Sequence, residues 1–114
     1  MSKRKPSMRD SKVYIQDIKD AVRRIETYTK GITFASFENN QMLVDAVIRN
    51  LAIIGEAVKN LPQDIKKEFP AVEWKKIAGL RDILVHAYFG INKKIVWDIV
   101  ENKVPELQQL LKDK

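Results

Sequence analysis

Residues 39–61, NNQMLVDAVIRNLAIIGEAVKNL, carry the widest apolar helical face in this chain. Their hydrophobic side chains recur at steps of three and four residues, which is the period of an α-helix. The face comprises Leu43, Val44, Val47, Ile48, Leu51, Ile54, Ala57, Val58 and Leu61. Such width is typical of a central helix that contacts several neighbours, or of a helix at a subunit interface. Pro62 ends the helix, because proline lacks the N–H that the next helical hydrogen bond would need.

The segments on both sides repeat the helical period, and none alternates apolar and polar residues as a strand would. We predict a first helix that is capped by Asp10 or Ser11 and stopped by Gly31. The further predicted elements are a connector over 32–38 with Phe34 and Phe37 on the core, a short helix over 63–69, and a helix over 72–88 followed by a turn at Gly90. We also predict a helix over 92–100 that Asn92 caps, and a last helix with Pro105 in its first turn. The predicted fold is therefore all-α, a four- to five-helix up-and-down bundle.

Length and composition indicate one domain with a buried core, since the chain has 114 residues of which 45% are hydrophobic. We assign 1–10 as a flexible basic tail and 11–114 as a single helical domain. The tail is without the apolar stretch of a signal peptide, and no run approaches the roughly 18–20 apolar residues of a membrane span. Together with the absence of cysteine, this favours a cytoplasmic protein without a membrane partner.

The net charge of +6 favours a polyanionic partner such as RNA, although a solvated basic surface has the same composition.

Three polar residues interrupt the apolar pattern of the helix predicted over 72–88: Arg81, Tyr88 and the only histidine, His86. The guanidinium of Arg81 is permanently charged, and its planar fork matches phosphate oxygens. A histidine ordinarily titrates at about pH 6.5, so His86 can accept and return protons near neutrality. RNA cleavage needs these two functions, because a base must take the proton of the ribose 2′-OH and a cation must stabilise the charge on the attacked phosphate. With one histidine and no cysteine, we expect neither a metal site nor a cofactor.

The geometry of a straight helix does not aim the three side chains at one point. Arg81 and Tyr88 lie nearly above one another, whereas His86 is about 140° round the axis from Arg81. Either the helix loosens near Val85 to Tyr88, or a second subunit completes the site in a symmetric dimer. Taken alone, the spacing favours the plainer interpretation, in which His86 is a structural residue of an apolar helix and Arg81 is a surface residue that pairs with a carboxylate.

Residues 81–88, RDILVHAY, resemble the motif of the HepT-like toxins, small all-α ribonucleases of the HEPN superfamily: Arg, a polar residue, three further residues, His, one residue, Tyr. Residues 46–57 are similar to the family's second helix, and residues 74–81 to the approach to its motif. Residues 89–91 with 96–97 resemble the family's segment on the C-terminal side of the motif. The resemblance covers about residues 13–111.

The resemblance implies a homodimer with the catalytic cleft at its interface and metal-independent RNA cleavage, in which Arg81 and His86 are the catalytic pair. Asp82 would orient one of these two residues. The family's usual partner is a minimal, MntA-like nucleotidyltransferase antitoxin that AMPylates the motif tyrosine, here Tyr88. A bulky anionic nucleotide on Tyr88 would fill the cleft and compete for Arg81. The expected function is thus the toxin of a type VII-like toxin–antitoxin system.

Cations outside the motif are candidate contacts of RNA phosphates. These predicted contacts are Arg49, Lys75 and Lys76. Arg49 and Glu56 share one face of the helix predicted over 39–61, so both could approach Arg81. The plainer interpretation is local pairing of Arg49 with Asp45, four residues before it.

Two other functions fit part of the pattern. A non-catalytic adaptor of the same fold would bind a nucleotidyltransferase or its nucleotide through Arg81, and His86 would then be structural. A basic helical DNA-binding module would account for the charge but not for the cluster around His86. Trp74 and Trp97 could stack on bases, but we expect them to pack in the core.

Overall fold

The computed structural model describes residues 8–84 and 92–112, with side chains over 12–84 and 92–112. Every regular element in these ranges is helical, so the all-α prediction is confirmed. None of these helices is both long enough and apolar enough to cross a membrane. Residues 1–7 of the predicted tail lie outside the described part of the chain, as do His86, Tyr88 and the turn predicted at Gly90.

Helix α1 spans Met8–Thr29 and buries one stripe of its surface. The buried side chains are Ile18, Ala21, Val22 and Ile25. Because Met8 is already helical, Asp10 and Ser11 lie inside α1, and the predicted cap is wrong. A residue of capping type permits a helix to start but does not oblige it to. The predicted stop is confirmed, since Gly31 follows α1 with φ +72°, a left-handed conformation that glycine adopts without strain.

A short helix, α2 (Phe34–Glu38), replaces the predicted connector. Its N-cap is Thr33, whose Oγ1 accepts a hydrogen bond from the Ser36 N–H at 3.2 Å. The turn directs Phe37 into the core, where it is fully buried and its ring lies 4.9 Å from that of Trp97. The predicted core positions of Phe37 and Trp97 are therefore confirmed.

Helix α3 (Gln41–Asn60) is the central element, as its wide apolar face predicts. Asn40 caps it, because its side-chain oxygen accepts a hydrogen bond from the Leu43 N–H at 3.1 Å. Its buried apolar side chains include Val44, Val47, Leu51, Ile54, Ala57 and Val58. These side chains form a common core with the stripe of α1. Leu61 closes the helix directly before Pro62, in agreement with the sequence.

The helix predicted over 72–88 is interrupted in the structure. After α4 (Gln63–Lys66), helix α5 (Trp74–Ala78) ends at Gly79, and helix α6 begins at residue 80 and is described as far as 84. Gly79 has φ −73° and ψ −9°, which lies in the right-handed helical region but with a ψ closer to zero than that of a regular α-helix. Glycine makes a continuous helix about 1 kcal/mol less stable than alanine would. An interruption of the helix at Gly79 therefore sacrifices little helix stability. The prediction of one unbroken helix is wrong, and the break precedes the motif rather than falling within it.

The C-terminal region forms one nearly continuous helical run: α7 (Lys93–Asp98), a π-helical turn (Ile99–Lys103) and α8 (Val104–Lys112). Asn92 caps α7, as predicted, by accepting hydrogen bonds from the Lys94 and Ile95 N–H groups. Pro105 lies in the first turn of α8, also as predicted. Proline cannot donate a helical hydrogen bond, and the wider π turn directly before it accommodates this loss.

Candidate active site

The site is built where α3 meets the junction of α5 and α6. A Cβ placed on Gly55 of α3 would lie 3.6 Å from the Ile77 carbonyl oxygen and 3.9 Å from the Arg81 backbone nitrogen. The two backbones are therefore so close that one added Cβ would fill the space between them at this point, which we call the seam (Gly55, Ile77 and Arg81). Because Arg81 lies in the first turn of α6, packing of the backbone at the seam fixes where its side chain starts.

The Arg81 side chain pairs with Glu56, the residue after Gly55. Its Nη1 lies 3.3 Å from Glu56 Oε2, and the two side chains are 62% and 55% exposed. Glu56 therefore approaches Arg81, which was the less favoured of the two possibilities in the sequence. The local alternative is absent from the described structure, since Asp45 instead accepts a hydrogen bond from the Gln41 side-chain amide at 2.9 Å.

Exposed cations lie on two of the helices that form the seam, α3 and α5. Arg49 lies on α3, and Lys75 and Lys76 lie on α5. Lys76 is partly neutralised, because its Nζ lies 2.8 Å from Glu73 Oε2. Its hydrogen bond to Glu73 raises the pKa of Lys76, and the same bond lowers the pKa of Glu73. Within the described residues Lys75 makes no ion pair, so of these two lysines it is the freer to meet a phosphate.

Asp82 follows Arg81 and is exposed. Its backbone N–H donates to the Gly79 carbonyl at 3.2 Å, while in the described part of the chain Arg81 is paired with Glu56 rather than with Asp82. His86, one of the two residues that Asp82 was predicted to orient, lies outside the described residues. Among side chains 12–84 and 92–112, no three His, Cys, Asp or Glu groups lie close enough to hold a metal ion.

Asn50 is a buried polar residue that the sequence reasoning did not single out. It is 5% exposed, and its side-chain N–H donates to the Ala46 carbonyl at 2.9 Å. Its Oδ1 accepts no hydrogen bond within the described residues. A buried acceptor without a donor is costly, so this face of α3 is a place where a polar partner is expected. The available signal was an asparagine at a core position of an otherwise apolar helical pattern.

An apolar groove with a volume of about 410 Å³ opens beside the seam. Its walls come from α3, from the α5–α6 junction and from the α7–α8 run. The lining includes Leu51, Ile54, Ile77, Leu80, Ile83, Ile95, Ile99 and Leu107. Ile83 and Ile95 are 40% and 45% exposed, which is unusual for side chains of this size. The groove thus leaves apolar surface uncovered next to Arg81.

The two tryptophans belong to the fold rather than to this surface. Trp97 is buried beside Phe37, and Trp74 is half-buried with its indole N–H donating to the Lys66 carbonyl at 3.0 Å. The Trp74 ring also packs edge-on against Phe69, with 6.1 Å between the ring centroids, so both indoles take part in core packing. The expectation that both pack in the core is confirmed.

These features define a small all-α domain that presents one arginine at a seam between helices, beside an open apolar groove. Residues 18–113 match the model of the family described as "Ribonuclease HepT-like". Because the match covers most of the chain, the chain belongs to this family of HEPN-type ribonucleases. The resemblance inferred from residues 81–88 is thereby confirmed.

Similar proteins carry ribonuclease names. The chain is 46% identical over 109 residues to the protein named "Putative RNase MJ0127" of Methanocaldococcus jannaschii, with 92% of this chain and 90% of the relative covered. It is 42% identical over 100 residues to the "Probable ribonuclease HepT" of Thermococcus cleftensis, with 88% and 91% covered. It is 40% identical over 106 residues to the "Putative RNase TTE0752" of Caldanaerobacter subterraneus, with 93% and 95% covered. No solved structure gave a significant match.

Proposed function

We propose that this protein is a metal-independent endoribonuclease that acts as the toxin of a toxin–antitoxin pair. The observation that carries the proposal is the exposed Arg81 guanidinium, held at the seam by one contact with Glu56. Arginine has five N–H donors, so most of them are left to bind the oxygens of a phosphate. Membership of the HepT-like ribonuclease family supports RNA as the source of that phosphate.

In the proposed reaction, the imidazole of His86 accepts the proton of a ribose 2′-OH. The 2′-oxygen then forms a bond to the adjacent phosphorus, while the bond from phosphorus to the 5′-oxygen breaks. The imidazolium returns the proton to that leaving oxygen, so the products are a 2′,3′-cyclic phosphate and a 5′-hydroxyl. Arg81 stabilises the charge that grows on the non-bridging oxygens, and no other electrophile is required.

We propose further that the active unit is a homodimer. The uncovered apolar groove with Ile83 and Ile95 at its mouth supports this, since large exposed apolar patches mark association surfaces. A two-fold axis beside α6 would bring both copies of the catalytic pair to one cleft. Ile83→Lys should convert the dimer to a monomer in sedimentation velocity. A wild-type protein that stays monomeric at micromolar concentration would contradict this part.

The test of the chemistry compares Arg81→Ala and His86→Ala with Arg23→Ala on a labelled RNA in the presence of EDTA. Arg23 is a matched control, because it is an exposed arginine whose Nη2 lies 3.2 Å from Asp20 on α1. We expect the first two variants to lose at least about 100-fold in cleavage rate, and Arg23→Ala to cleave normally. Normal cleavage by His86→Ala, or complete inhibition of the wild type by EDTA, would contradict the mechanism.

The proposed silencing acts through Tyr88, which a partner nucleotidyltransferase would modify with AMP. The negative charge of the nucleotide would compete with RNA phosphates for Arg81. Intact mass of the protein co-expressed with the neighbouring nucleotidyltransferase gene should show added AMP, and the modified protein should not cleave RNA. Tyr88→Phe should stay unmodified and active under the same conditions. If the partner keeps the wild type inactive without modifying it, silencing acts through simple binding and not through AMPylation.

A further inference from the structure

We propose that Glu56 is a positioning residue for the reaction: it holds one edge of the Arg81 guanidinium so that the other edge faces the RNA phosphate. This inference rests on the proposed function and deepens it. Glu56 and Arg81 are 25 residues apart in sequence and lie on different helices. By contrast, the Arg23–Asp20 and Lys76–Glu73 ion pairs each join residues only three apart in sequence. The Glu56–Arg81 contact is therefore a product of tertiary packing.

The backbone around the contact is anchored on both sides. Gly55 precedes Glu56, and a Cβ on Gly55 would lie 3.9 Å from the backbone nitrogen of Arg81. Gly55 is buried, whereas the two charged side chains extend from the seam into solvent. Because packed backbone sets the distance between the two attachment points, the carboxylate is presented to Arg81 without large rearrangement.

The contact is one-sided, which suits a positioning role. Only Nη1 of Arg81 reaches Glu56, at 3.3 Å from Oε2, and within the described residues its other donors have no acceptor. A phosphate bound by those donors would leave the Nη1 contact in place. Without Glu56 the long arginine side chain would sample several rotamers, and fewer of them would meet the phosphate in the reactive geometry.

Stability does not explain the pair. Both side chains are more than half exposed, and ion pairs of this kind contribute almost nothing to folding. The carboxylate also lowers the positive potential that attracts RNA, so Glu56 opposes simple binding of a polyanion. A positioning role thus makes a distinctive prediction: removal of the charge should strengthen RNA binding while it weakens catalysis. A purely structural role would change neither in that way.

The experiment measures two quantities for Glu56→Gln: kcat on a cleavable oligoribonucleotide, and Kd for its fully 2′-O-methylated analogue, which cannot be cleaved. We expect kcat to fall about tenfold because the guanidinium is no longer held. We expect Kd to decrease about two- to fivefold because one exposed negative charge is gone. Glu56→Asp should keep the wild-type Kd but recover only part of kcat, since its carboxylate is set back by about 1.5 Å.

Asp20→Asn is the matched control, since Asp20 is also a carboxylate paired with an arginine, at 3.2 Å from Arg23, and its loss changes the net charge equally. It should leave kcat unchanged and Kd within twofold. In an Arg81→Ala background, Glu56→Gln should have no further effect on residual cleavage, whereas the part of its Kd effect that comes from the lost negative charge should remain. Thermal unfolding should be the same for Glu56→Gln and wild type.

Two results would overturn the inference: a kcat of Glu56→Gln within twofold of wild type, or equal effects of Glu56→Gln on kcat with and without Arg81. If the wild type binds the methylated RNA but cleaves none, the proposed ribonuclease function fails. The coupling of Glu56 to Arg81 is then decided by the Kd values of the double-mutant cycle alone. A wild type that does not bind RNA at all would overturn both proposals.

Discussion

Gly55 links the packing of α3 to the position of Arg81, and two substitutions there should have opposite effects. In Gly55→Ala the new Cβ would lie 3.6 Å from the Ile77 carbonyl oxygen and 3.9 Å from Leu80 Cβ, which are ordinary contact distances. The methyl group therefore fits without movement. Alanine is about 0.8–1.0 kcal/mol more favourable than glycine inside a helix, so the free energy of unfolding should rise by up to that amount.

Gly55→Val places further atoms in the same space. Its γ-carbons extend about 1.5 Å beyond the Cβ, toward neighbours that are already in contact with it. Either the valine leaves its preferred rotamer or the α5–α6 junction moves, and such overpacking typically costs about 1–3 kcal/mol. Because the Arg81 nitrogen is one of the neighbouring atoms, RNA cleavage should fall by more than the unfolded fraction explains.

The assay is urea unfolding followed by circular dichroism, at one protein concentration because the midpoint of a dimer depends on concentration. With a slope of about 2 kcal/mol per molar urea, Gly55→Ala should raise the midpoint by about 0.4–0.5 M. Ala52→Val is the control for valine's helix propensity, since Ala52 lies on the exposed side of α3. A lower midpoint for Gly55→Ala, or a Gly55→Val protein as stable and active as Ala52→Val, would refute the packing argument.

Three further predictions concern stability and titration. Phe37→Ala should lower the unfolding free energy by about 3–5 kcal/mol because Phe37 is fully buried, whereas Met42→Ala, at a residue 84% exposed, should change it by less than about 0.5 kcal/mol; equal urea midpoints would contradict this. Lys76→Ala should return the lowered pKa of Glu73 toward its ordinary value in an NMR titration. In the wild type, the stabilisation from this pair is present above the ordinary carboxyl pKa and should be lost as the pH falls through the lowered pKa of Glu73. Burial raises the pKa of Glu26, so ionisation of this carboxyl group opposes folding above the ordinary carboxyl pKa. Glu26→Gln should therefore raise the free energy of unfolding at neutral pH but not in acid, and an equal effect at the two pH values would contradict this prediction.

Much of the fold is already contained in local sequence patterns. The extent of α3 and its end before Pro62 follow from the apolar period and from the proline, which act within a few positions of the chain. The same holds for the Asn92 cap and for the burial of Phe37. The family could also be inferred from residues 81–88, because the order of a few chemically distinctive residues is a property of sequence alone.

Other features depend on contacts between distant segments. The break at Gly79 was missed because glycine permits a turn without requiring one, and the contact of α3 with the α5–α6 junction is not visible in the periodicity of either segment. The identity of the carboxylate that pairs with Arg81 was open for the same reason. Local pattern determined which residues are helical and which residue types could perform the chemistry. Tertiary packing decided which carboxylate meets the arginine, because the position of a long side chain is set by the helices that support it and not by its distance along the chain.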